Sequence, residues 1–185
     1  AERALKFFIE KQHEDGFMQN FDNYMLETGC VLWSIGEHYR YTHNDKWIEE
    51  ILPNIIKACE FILNWRNKNK REELRGEGYG LIEGQVADPE DLERNFMLNG
   101  YAYLGLSRMG EILSKFNSEF SSRLTLESEA LKQDIRTALS ESIARGPVIP
   151  LGDGSWVPTA SPWAGGSGLL LLFLDKDKCY THGTF

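Results

Sequence analysis

Gly76 to Glu111 reads GEGYGLIEGQVADPEDLERNFMLNGYAYLGLSRMGE, and the reading of this stretch decides the fold. It opens as a glycine-rich loop bearing Glu77, Glu83, Asp88, Glu90 and Asp91. It then becomes apolar on nearly every side, through Phe96, Met97, Leu98, Tyr101, Ala102, Tyr103, Leu104, Leu106 and Met109. A helix with no polar face belongs where other elements cover it. The loop before it delivers its polar side chains to one end of the core, near a helix N-terminus.

Outward from this stretch the chain alternates. Upstream, Tyr24 to about Tyr41 predicts a second buried helix, with Met25, Leu26, Val31, Leu32, Trp33, Ile35 and Tyr39, and Asn23 in position to cap it. Between the two, Asn44-Asp45 caps a helix from Lys46 to about Asn67. Its apolar stripe is Ile48, Ile51/Leu52, Ile55, Cys59 and Ile62/Leu63, and Pro53 bends it or marks its first turns. Residues 2–12 form an amphipathic helix that the Asp15-Gly16 turn ends. The central buried helix is expected from about Leu92 to Phe116. An amphipathic one follows to Arg145, with Leu124, Leu131, Ile135, Ala138/Leu139 and Ile143 on one stripe. Residues 67–78 are a charged connector and residues 146–166 a Pro/Gly-rich loop without regular period, before Leu169 to Leu174 begins another buried element.

A weak internal repeat accompanies the alternation. Tyr24-Met25-Leu26-Glu27 returns as Phe96-Met97-Leu98-Asn99, and Gly36-Glu37 as Gly110-Glu111, about 72 to 74 residues on. Repeats of this size stack or close into rings. Buried helices inside and amphipathic ones outside give an all-α fold, an α/α toroid or solenoid of helical hairpins.

Bulk properties narrow the partners. At 185 residues, 42% apolar and 26% charged, the chain is long enough for one domain with a core. A net charge of −8 excludes the basic face that nucleic acid requires. Cys30, Cys59 and Cys179 lack metal or redox spacing, and the odd count leans towards a reducing, cytoplasmic compartment. The N-terminus carries no apolar signal core, and the LLLLFL run is far short of the ~20 residues that span a bilayer. The four histidines form no HExxH, and there is no GxGxxG, phosphate-binding loop or GxSxG elbow. No metal or cofactor is therefore expected.

Three segments carry a family resemblance. YMLETGCVLWSIGEHYRYTHNDKWIEEILPNIIKACEFILNWR (24–66) resembles a hairpin of the six-hairpin glycosidases, the (α/α)6-barrel carbohydrate-active enzymes. Its features are an aromatic-rich inner helix ending EHYRYT, an Asn-Asp-Lys-Trp turn and an outer helix with LP.I..AC.FI. GYGLIEGQVADPEDLERNFMLNGYAYLGLSRMGEIL (78–113) resembles the next hairpin, and PVIPLGDGSWVPTASPW (147–163) the loop after it. The similarity covers most of residues 5 to 163. A full barrel takes about twelve helices, roughly twice what this chain supplies. Residues 1–185 are thus expected to be a single domain within a larger toroid.

The resemblance implies glycoside hydrolysis, which needs one protonated and one ionised carboxyl group across the scissile bond. In a toroid, the loops entering the inner helices share a rim, here carrying Glu14, Asp15, Asp22, Glu83, Asp88, Glu90, Asp91 and Asp153. Glu27, on the first turn of an inner helix, joins them, and burial there would raise its pKa towards an acid's role. Glu27 and Asp88 lead the catalytic candidates, followed by Glu83, Asp91 and Asp153. Trp156, Trp163, Tyr24, Tyr79 and Phe96 offer flat faces to sugar rings. Each has a plainer reading: Glu27 favours the positive end of its helix, Asp88-Pro89-Glu90-Asp91 is a capping run, and Asp153-Gly154 is a turn. The alternative to an enzyme is a non-catalytic helical-repeat module binding a glycan or protein.

Overall fold

The computed structural model describes residues 2–20, 24–86, 92, 94–145, 148–150 and 156–158. Five α-helices dominate: α1 (Glu2–Glu10), α2 (Glu27–Thr42), α3 (Asp45–Asn67), α4 (Phe96–Ile112) and α5 (Ser118–Arg145). A short antiparallel ribbon of β1 (Val148–Pro150) and β2 (Trp156–Pro158) pairs Ile149 with Val157, within the region expected to lack regular structure. The described residues are thus overwhelmingly helical, as the alternating pattern requires.

Side-chain caps set three of the helix starts. Asn44 Oδ1 accepts from the Trp47 amide at 3.2 Å to start α3, and Asn117 Oδ1 from Phe120 at 3.1 Å to start α5. Two expected boundaries shift. α4 starts at Phe96 rather than Leu92, because Asn95 is its cap, accepting from Met97 at 2.8 Å. It ends at Ile112, and a 3-10 turn (Leu113–Lys115) carries the chain to Phe116. α2 starts at Glu27 rather than Tyr24, and its capping position, Leu26, has no side-chain bond to offer. Asn23, the expected cap, lies outside the described residues. Pro53 does not break α3; it sits on the exposed face, where the carbonyl it cannot bond is left to water.

The two buried helices lie side by side, α5 packs along α4, and α3 touches both α2 and α4. The seam between α2 and α4 is made by absent side chains. A methyl group at Gly29 would lie 2.6 Å from the carbonyl carbon of Tyr101, and one at Gly105 2.8 Å from the carbonyl oxygen of Gly29. Only glycine lets the backbones approach this closely. Around the seam, Leu32, Ile35, Ile48, Ile55, Ile62, Leu106, Met109, Leu124 and Leu131 are almost wholly buried. Each contributes about 1.5–3 kcal/mol of apolar burial. The stripe expected for α3 is the face it buries, and Leu124, Leu131, Ile135 and Ala138 of the α5 stripe are buried.

The internal repeat has a structural counterpart that sequence matching placed only in part. Before α2, Gly16 turns at φ +101° and is followed by Phe17 and the fully buried Met18. Before α4, Gly80 turns at φ +69° and is followed by the buried pair Leu81 and Ile82. Both backbone groups of Met18 bond the Thr28 hydroxyl, at 3.0 and 3.2 Å. Both backbone groups of Ile82 bond the Asn99 side-chain amide, at 2.6 and 2.9 Å. The side chain that holds each turn carbonyl also reaches a further helix. Gln12, just beyond α1, donates to Gly16 O at 3.0 Å and exchanges bonds with Asn54 of α3. Arg66, near the end of α3, donates to Gly80 O at 3.1 Å and to Glu127 and Asp134 of α5. The described residues therefore hold the same order twice: amphipathic helix, glycine turn, buried helix, amphipathic helix.

The repeated Gly-Glu pairs play unequal parts. The Arg108 side chain crosses α2 at Gly36, where a Cβ would overlap it, and bonds both Glu37 and Glu111. Gly110 instead admits Thr125 of α5, while its carbonyl accepts from Ser121 at 2.6 Å. Among the described residues, no helix is long and apolar enough to cross a membrane.

Candidate functional site

The N-terminal ends of α2 and α4 open at the same end of the molecule, and the segments entering them are joined directly. The Met25 amide donates to Gln85 O at 2.9 Å. Gly84 lies between them in a slot where a methyl group would come within 2.7 Å of the Trp65 ring and 3.0 Å of Met25 Sδ. Four of the sequence candidates meet here: Tyr24 and Glu27 on the α2 side, Glu83 and Phe96 on the α4 side.

Their chemistry is partly committed. Glu83 is half-buried; its carboxylate pairs with Arg94 at 3.0 Å, and its carbonyl accepts from Trp65 Nε1 at 3.1 Å. Glu27 is half-buried rather than buried. Its carboxylate accepts from the Asn20 amide at 2.5 Å, tying the end of the preceding loop to the first turn of α2. The same carboxylate acts on Cys30 one turn later. Burial first, and then the Glu27 charge, push that thiol up to about 12. Cys59, fully buried in α3, is pushed up by the same loss of water. Loss of water thus disfavours the thiolate at both positions, at half-buried Cys30 and at buried Cys59. Phe96 packs its half-buried ring against the core edge.

Other candidates go elsewhere. Tyr79 lies under the Arg75 guanidinium, 3.7 Å from its ring centre, in a recess of about 60 Å³ shared with Asp134, Thr137 and Glu141. It faces α5 and not the mouth, because Gly80 turns the chain away immediately after it. Asp15 accepts from the Phe17 amide at 3.0 Å, the expected turn bond. Trp156 enters the ribbon opposite Pro150. Asp22, Asp88, Glu90, Asp91, Asp153 and Trp163 lie outside the described residues.

Sequence reasoning did not find Thr28, Trp65, Arg94 or Asn99, whose side chains shape the mouth. One signal was present: Asn99 is a fully buried amide within an otherwise apolar run, and such a group requires partners. Those partners are 17 residues away for Asn99 and 10 for Thr28, beyond the reach of local patterns.

A larger recess, about 290 Å³, lies at the opposite end, among Tyr39, Arg40, His43, Glu111 and Lys115. Its charges are mutually satisfied. Lys115 bonds Asp45, Arg40 meets Glu37 at 3.4 Å and Arg108 holds Glu111. The Lys115 ammonium and then the Tyr39 hydroxyl hold Asp45 below the usual carboxylate range, while that bond to Asp45 raises Tyr39. The C-terminal ends of α2 and α4 border this recess, and the N-terminal end of α3 meets it through the Asp45–Lys115 pair.

Comparison with family models, with curated proteins and with solved structures finds no match.

Proposed function

We propose that this chain is part of a six-hairpin, (α/α)6-type carbohydrate-active enzyme, a glycoside hydrolase that cleaves with carboxylates on the rim of the inner helices. The observation supporting this reading is the repeated unit. Two successive glycine turns feed two inner helices whose N-termini share one mouth, and Glu27 and Glu83 stand on its joined walls. A ring extending this unit would bring further loops to the same rim, to which the sequence reading assigns Asp88, Asp91 and Asp153 as well. One of these carboxyls serves as acid and a second as base or nucleophile, with the bound carbohydrate across the mouth.

The test is hydrolysis of an oligosaccharide panel, followed by reducing ends, using the full polypeptide that contains this chain. Replacing a true acid or base by its amide, in Glu27→Gln or Glu83→Gln, is expected to lower kcat by about 10²- to 10⁴-fold with the fold intact by circular dichroism. An unchanged kcat in both variants removes these two from the catalytic set. No turnover of any panel member sinks the hydrolase reading.

A second reading, a helical-repeat module binding a glycan or protein without cleaving it, draws support from how both described carboxylates are used. Glu83 is ion-paired and Glu27 ties a loop. Under that reading the same amide variants retain ligand affinity, measured by calorimetry, and no product forms.

A further inference from the structure

Glu83 stands on backbone fixed from three directions. Asn99, buried completely in the first turn of α4, accepts from the Ile82 amide at 2.6 Å and donates to the Ile82 carbonyl at 2.9 Å. Its remaining N–H goes to the Asn95 carbonyl at 2.9 Å, so the side-chain amide has no donor to spare. Trp65 of α3 donates to the Glu83 carbonyl, and the Met25 amide at the entry to α2 donates to that of Gln85. Gly84 fills the slot between them. Residues 82–85 are therefore tied to α2, α3 and α4 together. What remains adjustable in Glu83 is its side chain, which ends on Arg94.

We propose that Asn99 is a positioning residue: its two-point grip on Ile82 sets where the Glu83 carboxylate stands. An apolar residue of similar size would fill the space and leave both Ile82 groups without partners. Reacting groups tolerate only about 0.5 Å of error, and rigid support from a neighbouring shell supplies that tolerance. The effect on catalysis rests on the glycoside-hydrolase reading; the grip itself does not.

Two variants test the proposal. Asn99→Ala removes the grip. In Asn99→Asp, a protonated carboxyl reproduces it, with its hydroxyl donating to Ile82 O and its carbonyl accepting from Ile82 N–H. The ionised form instead faces the Ile82 and Asn95 carbonyls with no proton, and burial among such groups favours the neutral acid. In the full chain, amide hydrogen exchange is expected to speed up at least about tenfold at Ile82 and Met25 in Asn99→Ala. Leu131 and Ile135 in α5 should stay protected. Asn99→Asp should match the wild type at pH 5 and approach Asn99→Ala at pH 8, each compared with wild type at the same pH. If Asn99→Ala does not fold, this pH response within one folded variant carries the test.

In the activity arm, kcat should fall about 100-fold in Asn99→Ala with KM nearly unchanged, and kcat of Asn99→Asp, relative to wild type at the same pH, should fall as pH rises from 5 to 8. A merely structural role would lower the melting temperature and leave kcat per folded molecule intact. Unchanged exchange at Ile82 in folded Asn99→Ala, or an exchange pattern in Asn99→Asp that ignores pH, overturns the grip. Full kcat in Asn99→Ala beside an inactive Glu83→Gln overturns the positioning role while leaving the hydrolase reading in place. If the wild type cleaves no glycoside, the hydrolase reading fails and the exchange data alone decide for or against the grip.

Discussion

At Gly16 the turn carbonyl is taken by the neutral amide of Gln12, which also bonds Asn54. At Gly80 it is taken by the guanidinium of Arg66, which also bonds Glu127 and Asp134, with Lys70 on Glu127 at 2.9 Å. The two turns connect equivalent helices by the same geometry, one without charge and one with a buried cation. What recurs between the units is thus the position of donors and acceptors rather than residue type, and this is why the repeat is faint in sequence. The two versions differ in what their loss leaves behind. Deleting Gln12 leaves only neutral groups without their partner. Deleting Arg66 takes the ion-pair partner from half-buried Asp134 and leaves Glu127 with Lys70.

That difference orders the expected effects. Arg66→Met should destabilise the protein most, by about 3 kcal/mol in urea denaturation, because it strands Asp134 and the Gly80 carbonyl and leaves Glu127 to Lys70 alone. A loss below that of Gln12→Met would overturn the contrast between ionic and neutral turns. Next comes the seam that joins the two units. Gly29→Ala places a methyl against the Tyr101 backbone and should cost about 2 kcal/mol by the same measurement. Gln12→Met should cost about 1 kcal/mol, the net value of neutral, half-buried hydrogen bonds.

The smallest effect is a pH dependence confined to the ionic turn. For Glu127, loss of water pushes its pKa upward, but the hydrogen bond and charge of Lys70, followed by Arg66 and Arg123, outweigh it and hold the group below its ordinary value. A depressed folded-state pKa gives stability that is present above the unfolded value and lost as pH falls through the folded one. The wild type should therefore lose stability as pH falls below about 4, the usual glutamate range. Glu127→Gln should show a shallower loss over that window in melts taken at stepped pH. Equal slopes would mean that this carboxylate is not responsible.

Helix type and order were legible because periodicity and caps are local. Asn44 and the Ile48–Leu63 stripe defined α3 nearly to the residue, and Leu124 to Ala138 defined the buried face of α5. The start of α2 was misread because the polar residues at its entry do not cap the helix. Thr28 turns back to Met18 and Glu27 to Asn20. The start of α4 was misread because the acidic run ahead of it looked like a cap, while Asn95 held that place. For the candidate site, sequence placed Glu27, Glu83, Tyr24 and Phe96 at one mouth but sent Tyr79 there as well. A glycine with positive φ reverses the chain at residue 80, and no pattern of apolar residues encodes which way the preceding ring then points.

The grips on Met18 and Ile82 span 10 and 17 residues, respectively, yet end on the same kind of helix entry. Between such fixed ends, the longer loop carries a closure penalty larger by only about 0.5 kcal/mol. Each grip therefore acts as a socket: the segment beyond it can be lengthened, shortened or exchanged while the helices below keep their packing. An ancestor built this way could try new rim chemistry by changing loops alone, and an engineer could do the same by grafting between residues 85 and 95.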